Sequence, residues 1–390
     1  MTVDGINTVC FVGAGTMGCY NSIVAAISGY TVVLYDVDEA TLARAPEKQR
    51  EMAAFLVANG YCPADAVAAA QLRFSMQPDL ARAVENADLV SESVFERLEL
   101  KRVVHLWMDK FCPPRTILTT NSSALLVSDI EGVVRRGDRF AALHSHLGAP
   151  LVDIVAGPRT DPDVISLLQR YVLSLKGEPL VLNKEHRGYV LNAMIGPLLT
   201  AALMLVTECV ASVEDVDRAW MRHRSAPMGP FGMIDLFGID LIHDTWQDRS
   251  DDAPFAELRP KVLHLLQPYV EGNALGMKSG RGFYHYPEPA YQADGFTADG
   301  GDLATLYHTL AAVLIGSAML IAARGVSEPA DIDRAWRVGT YLDAGPFEIL
   351  DRMGAERFRE IFSAQVAAGR FDRSTAPLVE EYLAGPGGAR

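Results

Sequence analysis

The stretch Thr8-Val9-Cys10-Phe11-Val12-Gly13-Ala14-Gly15-Thr16-Met17-Gly18 decides the fold. Five residues suited to a buried strand run into glycines spaced G-x-G-x-x-G. A helical stretch from Met17 to Ser28 follows and stops at Gly29. A second apolar strand, Thr31 to Tyr35, then ends on Asp36. In a strand–turn–helix–strand unit each glycine has a physical task. Gly13 makes the tight turn, Gly15 lets backbone approach a pyrophosphate, and Gly18 lets helix and strand pack closely. Thr16 and Met17 stand at the start of the helix as cofactor-binding candidates, where free N–H groups and the positive dipole end suit a phosphate. Asp36 stands 18 residues after Gly18, where a carboxylate reaches a ribose 2′-hydroxyl and repels a 2′-phosphate. The next arginine, Arg44, falls on the following helix, so the expected cofactor is NAD rather than NADP.

Working outward, Glu39 to Ala70 reads as a helical pair broken at Asn59-Gly60-Tyr61-Cys62-Pro63. Further strands are expected at Ala87–Ser91, Thr116–Thr120, Asp138–His144, Leu151–Val155 and Pro179–Leu182. Strands alternating with helices imply a mostly parallel, Rossmann-type doubly wound α/β sheet, which binds ligands beyond the carboxyl ends of its strands. Asp36, Asn121, Ser123 and His144 all fall at such ends.

From about Arg187 the pattern becomes helical throughout, and it repeats. Asp215-Val216-Asp217-Arg218-Ala219-Trp220 returns as Asp331-Ile332-Asp333-Arg334-Ala335-Trp336, and Gly229-Pro230-Phe231 returns as Gly345-Pro346-Phe347. Asp235 and Gly238 return as Asp351 and Gly354, every pair 116 residues apart. The C-terminal half is therefore an all-α domain present twice. The expected boundaries are 1–183 for the sheet domain, 184–288 for the first helical copy and 300–384 for the second. Residues Pro287 to Gly301 read as a linker and Gly385 to Arg390 as a disordered tail. The paired acids Asp215, Asp217 and their copies read as helix N-terminal charges rather than catalytic groups.

The 390 residues are 49% hydrophobic, with a mean hydropathy of +0.10, which suits a large core. No apolar run approaches the ~18 residues of a membrane span, so no membrane partner is expected. A formal charge of −14 argues against nucleic acid or an anionic surface as partner. The N-terminus has no basic signal-like region, and Cys10, Cys19, Cys62, Cys112 and Cys209 form no C-x-x-C. Buried thiols in a reducing cytoplasm are the plain expectation.

Together these motifs resemble the 3-hydroxyacyl-CoA dehydrogenase family along nearly the whole chain. The resemblance runs through Gly13–Gly18, Val94–Lys101, Asn121-Ser122-Ser123 and Arg139–His144. It continues through Gly188-Tyr189-Val190-Leu191-Asn192, Pro227–Phe231 and Gly280–Tyr284. It implies a dehydrogenase in which His144 is the general base and Ser123 and Asn192 hold substrate. Glu96, Lys101 and Asn121 would stand near the nicotinamide end, although Lys101 also suits a solvated helix position. The second helical copy resembles a doubling seen in some bacterial members. It would stand in for a partner subunit, giving a monomeric pseudo-dimer, with a homodimer as the alternative.

Alcohol oxidation by NAD needs a hydride acceptor and a base, and an imidazole titrating near neutrality suits the base. A carboxylate behind it fixes the tautomer and stabilises the imidazolium. The family's Leu-Val-Glu reads Leu151-Val152-Asp153 here, so Asp153 is the expected partner, shorter than Glu by about 1.5 Å. The family's Phe-Phe-Asn-Pro after the histidine is replaced by the shorter Ser145-His146-Leu147-Gly148-Ala149-Pro150. Three readings stand open: a working His144–Asp153 dyad, His146 as base, or a dead site. His144-x-His146 alone lacks further metal ligands at recognisable spacing, so no metal is expected. The expected substrate is a small acyl or hydroxy-acid molecule, tethered to CoA or a carrier protein, or free. The helical pair offers Arg44, Lys48, Arg50 and Arg73 against Glu39, Glu47, Glu51 and Asp65, a poor preparation for CoA phosphates.

Overall fold

The computed structural model describes residues 2–298, 300–301 and 303–385. Of the expected disordered tail, residues 386–390 lie outside the described residues. The chain divides into two compact units. One runs to Tyr189 and takes in Gly325–Ser327 and Val338–Thr340; the other holds the remaining helical part.

The first unit is an eight-stranded sheet: β1 Thr8–Val12, β2 Thr31–Tyr35, β3 Phe74–Gln77, β4 Leu89–Glu92, β5 Ile117–Thr120, β6 Phe140–Ser145, β7 Leu151–Ala156 and β8 Glu178–Leu182. Their order is β3-β2-β1-β4-β5-β6-β7-β8, parallel throughout except for the β6–β7 pair. The helices are α1 Thr16–Ile27, α2 Glu39–Ala58, α3 Ala64–Gln71, α4 Leu80–Val84, α5 Leu98–Phe111, α6 Val127–Glu131 and α7 Pro162–Ser174. Central strands β4 and β5 are buried at every position, as helices on both faces of a parallel sheet require. β3 escapes the sequence reading. Its Phe-Ser-Met-Gln is half-exposed at the sheet edge, where little apolar pressure acts.

The second unit contains α8 Leu191–Thr207, α9 Val213–Arg224, α10 Pro230–Phe237, α11 Ile239–Gln247 and α12 Arg259–Glu271. The second copy follows as α13 Leu303–Ala323, α14 Pro329–Thr340, α15 Pro346–Met353, α16 Ala355–Ala367 and α17 Ala376–Ala384. The two copies lie together in one compact unit. α13 packs on α8 and α9 as well as on α15, α16 and α17. By length and composition α13 is apolar enough to cross a membrane, which corrects the expectation that no such run exists. Here it is a core helix, 67% buried over its apolar window. Trp220 and Trp336 meet edge to face between the copies at 6.4 Å, both fully buried.

The repeated Asp and Gly-Pro-Phe motifs turn out to be one device. Asp217 does not serve the N-terminus of its own helix α9. Its carboxylate accepts hydrogen bonds from the Phe231 and Gly232 amides at the start of α10, and from the Tyr284 hydroxyl. Asp333 does the same for the Phe347 and Glu348 amides of α15. A Cβ on Gly229 or Gly345 would lie 2.4 Å from the Cα of Asp217 or Asp333, so only glycine permits the approach. Burial raises Asp217 to about 7, and burial raises Asp333 to about 6, against the pull of these donors. Asp215, by contrast, sits in the first turn of α9, as an N-terminal acid should.

The copies differ around Asp235, which accepts from the Phe283 and Tyr284 amides and the Tyr286 hydroxyl, while its counterpart Asp351 is exposed. The expected linker is anchored too. Tyr291 and Phe296 are buried, and Arg218 donates to the Phe296 carbonyl while stacking on its ring.

Candidate active site

Strand register assembles the site. Val12, Glu92, Thr120 and Ala142 lie abreast across β1, β4, β5 and β6, with Tyr35 beside Val12. The turns that follow therefore share one edge of the sheet: Gly13–Gly18, Val94–Glu96, Asn121–Ser123 and His144.

The glycine turn fits a dinucleotide. Gly13 holds φ +107°, and a Cβ there would lie 2.7 Å from the Ser93 carbonyl oxygen. A Cβ on Gly18 would strike the Gly13 oxygen, whereas Gly15 faces open space. No side chain caps α1, so its first-turn amides face outward. Asp36 accepts from the Ala14 amide at 2.7 Å and the Asp38 amide at 2.9 Å, tying the β2 end to the turn. α1 begins at Thr16, one residue before the expected start at Met17.

His144 and Asp153 are directly paired across the antiparallel β6–β7 hairpin, so both side chains rise from the same face. Their Nδ1···Oδ2 distance is 2.9 Å, and the Ser123 hydroxyl lies 3.1 Å from Nε2 of the same ring. The shorter loop and the shorter acid thus compensate. His146, two residues on, brings its Nε2 to 2.9 Å from the same Asp153 oxygen. Burial pushes the His144 imidazole below its usual value, against the pull of Asp153. Burial works to raise Asp153, but hydrogen bonds from both histidines hold it below the usual carboxylate range. Its other oxygen, Oδ1, is buried without a hydrogen-bond partner. Asp153 also brings a third donor beside the two imidazoles, which sequence spacing did not reveal. His144, His146 and Asp153 offer donor atoms all within 4.8 Å of one another.

The remaining expected residues are distributed unevenly. Asn121 accepts from the Ser145 amide at 2.8 Å, so its side-chain carbonyl braces the strand that carries His144. Glu96 accepts from the Ser122 hydroxyl and, at 3.0 Å, from the Ala124 amide, shaping the loop that carries Ser123. Lys101 is not a solvated helix charge. It is 1% exposed and paired with Glu92 at 2.7 Å and Glu96 at 3.3 Å. Asn192 lies in the first turn of α8 in the helical unit; Val190 is the cap residue there, so Asn192 does not cap the helix.

Sequence reasoning missed the anchor beneath this loop. Glu92 is fully buried and accepts from Lys101 and the Val94 amide on one oxygen, and from Thr120 on the other. His105 approaches that second oxygen at 3.1 Å. Burial opposes ionisation of Glu92, but the His105 hydrogen bond and the Lys101 charge bring it down to about 2. A carboxylate closing the buried strand Leu89-Val90-Ser91-Glu92 is the signal that would have found it. Tyr189 was missed as well. Its ring packs 5.1 Å from that of His144, and its hydroxyl donates to the Ser122 carbonyl at 2.8 Å.

A cavity of about 540 Å³ borders Leu143, Ser145 and Val152, together with α1, α7 and the turn after α2. These strand residues alternate with His144 and Asp153, so the cavity opens on the opposite face of the sheet and takes no part in the dyad.

Residues 8–186 match the NAD binding domain of 3-hydroxyacyl-CoA dehydrogenase, and residues 188–286 and 307–386 match the C-terminal domain of that family. The chain belongs to the 3-hydroxyacyl-CoA dehydrogenase family. It is accordingly an NAD-dependent oxidoreductase. It is similar to the mitochondrial hydroxyacyl-coenzyme A dehydrogenase of Rattus norvegicus, 33% identical over 292 residues, covering 72% of this chain and 91% of the relative. It is 32% identical over 292 residues to 3-hydroxyadipyl-CoA dehydrogenase of Escherichia coli K12, covering 72% of this chain and 59% of that protein. Among solved structures, a diketoreductase studied for dual catalysis of dicarbonyl compounds is 32% identical with a TM-score of 0.67. It covers 73% of this chain and 100% of its own. An Escherichia coli K12 3-hydroxybutyryl-CoA dehydrogenase shares the fold over 97% of this chain and 99% of its own, at TM-score 0.76 and 24% identity.

Proposed function

We propose that the chain interconverts a 3-hydroxyacyl thioester and its 3-oxoacyl product, with His144 as general base. The observation that carries this reading is the relay from Ser123 through His144 to Asp153, 3.1 and 2.9 Å long, at the strand edge that also carries the glycine turn. The substrate hydroxyl sits where the Ser123 hydroxyl and His144 Nε2 converge. Nε2 takes its proton, while Nδ1–H stays directed at Asp153, which stabilises the resulting imidazolium. Bound NAD supplies the hydride acceptor. Gly13, Gly15, Thr16, Met17 and Gly18 would hold its pyrophosphate and Asp36 its ribose.

The test is steady-state oxidation of 3-hydroxybutyryl-CoA by the wild type and by His144→Ala. The expected loss in kcat is about a thousandfold, with NADH affinity unchanged. Equal turnover by the two proteins would end the assignment of the base.

A second reading is a free or carrier-bound hydroxy acid as substrate. It is favoured by the sparse cations of α2 and α3 and by the similarity to a reductase of dicarbonyl compounds. Comparing kcat/KM for 3-hydroxybutyryl-CoA with that for free 3-hydroxybutyrate separates the two, and the larger value names the class.

A further inference from the structure

We propose that His144, His146 and Asp153 form a site for a zinc-class divalent cation, and that filling it switches the base off. The inhibitory half rests on His144 being the base; the binding half does not.

Three observations converge. First, hairpin pairing sets His144 opposite Asp153, and His146, two residues along, falls on the same face. Second, Nδ1 of His144 and Nε2 of His146 both lie 2.9 Å from one oxygen of Asp153. With Zn–N and Zn–O bonds of ≈ 2.0–2.1 Å, tetrahedral ligands stand about 3.4 Å apart, so each nitrogen–oxygen pair needs to spread by about 0.5 Å, and the two imidazole nitrogens already lie within 4.8 Å of one another. Third, Asp153 is fully buried and its Oδ1 has no hydrogen-bond partner. Its ionic partners among the described residues are the two imidazoles alone. Buried, with one oxygen bare and no Lys or Arg paired with it among the described residues, this carboxylate carries a charge that a cation satisfies well. Two imidazole nitrogens and one carboxylate select zinc-like ions over magnesium or calcium. Three protein ligands leave the fourth position to water.

The consequence for the base is tautomeric. In the working dyad the ring proton of His144 sits on Nδ1, and the Nε2 lone pair faces Ser123. A metal bound at Nδ1 takes that position, and the proton moves to Nε2. His146 likewise gives up Nε2 to the metal and carries its proton on Nδ1. Water leaves the hydrated ion as the three protein ligands enter, and no electrons move. His144 then presents a donor toward Ser123 where an acceptor is required, and it has no lone pair for the substrate proton.

The test uses the full chain without nucleotide. Cobalt(II) is titrated and the visible d–d bands of a four-coordinate centre are followed. Zinc affinity is then measured by competition with a chromogenic chelator. One equivalent is expected to bind the wild type. His146→Phe and His146→Gln should each weaken zinc by about a hundredfold or more, beyond the range reported for outer-shell partners. NADH fluorescence titration reports that both variants are folded. Zinc is expected to inhibit wild-type turnover reversibly with EDTA, and the ratio of rates with zinc and with EDTA should return toward one in both variants. No stoichiometric binding, or equal zinc affinity in wild type and variants, overturns the site. Stoichiometric binding without inhibition upholds the site and instead overturns His144 as the base.

Discussion

At the scale of single residues, the loop that carries Ser123 is braced from beneath by a buried charge. Glu92 gathers Lys101, Thr120, His105 and the Val94 amide, and Lys101 passes the connection to Glu96 and the Ser122–Ala124 loop. Removing one member of such a group leaves an uncompensated carboxylate away from water. Lys101→Met is therefore expected to lower unfolding free energy by about 3–5 kcal/mol in urea titration. It should also reduce kcat more than it alters NADH affinity, because the Ser123 loop loses its brace. The grouping of Ser123, His144 and Asp153 was legible in the sequence through their spacing and family resemblance. The shared oxygen between His144 and His146 was not, because it follows from strand register, which spacing along the chain does not encode. Lys101 shows the same limit. Its helix position reads as polar, and only the fold reveals that its ammonium points inward to Glu92.

At the scale of elements, the glycine turn and the alternation of strands and helices were readable because each is a local pattern with a period of its own. β3 was not, since an edge strand of Phe-Ser-Met-Gln carries almost no hydrophobic alternation. The duplication was readable as identity, but its purpose emerged only from packing. Asp217 and Asp333 each tie one helix to the start of the next, and Gly229 and Gly345 admit the carboxylate. Gly229→Ala and Gly345→Ala should each cost about 1–3 kcal/mol, as forced overpacking does, measured by chemical denaturation. Gly196→Ala is the counter-case. Gly196 lies on an exposed position of α8 with nothing within 4 Å of an added Cβ, and alanine there should gain about 0.5–1 kcal/mol.

At the scale of the whole molecule, the helical unit should respond to pH in an unusual direction. The folded value of Asp217 stands at about 7, against an ordinary value of 3.8, because burial disfavours the carboxylate. Its contribution is fully present below the unfolded value and is lost as pH rises through about 7. Asp333 adds a smaller loss, through about 6. Thermal melts from pH 4 to pH 8 should show the helical unit weakening by on the order of 4 kcal/mol from Asp217. Asp217→Asn should flatten that slope, and an unchanged slope would show that Asp217 does not titrate there. α13 also has a consequence for association. It covers α8 and α9 from within the same chain, with Trp220 against Trp336 at the seam, so light scattering should report a mass near 42.4 kDa. Because those two tryptophans are joined by one peptide, their encounter has no dependence on protein concentration. Dilution, which separates a pair of independent subunits by mass action, cannot part these two tryptophans. Specific activity should therefore stay constant from the bench stock down to the lowest assayable amount of enzyme.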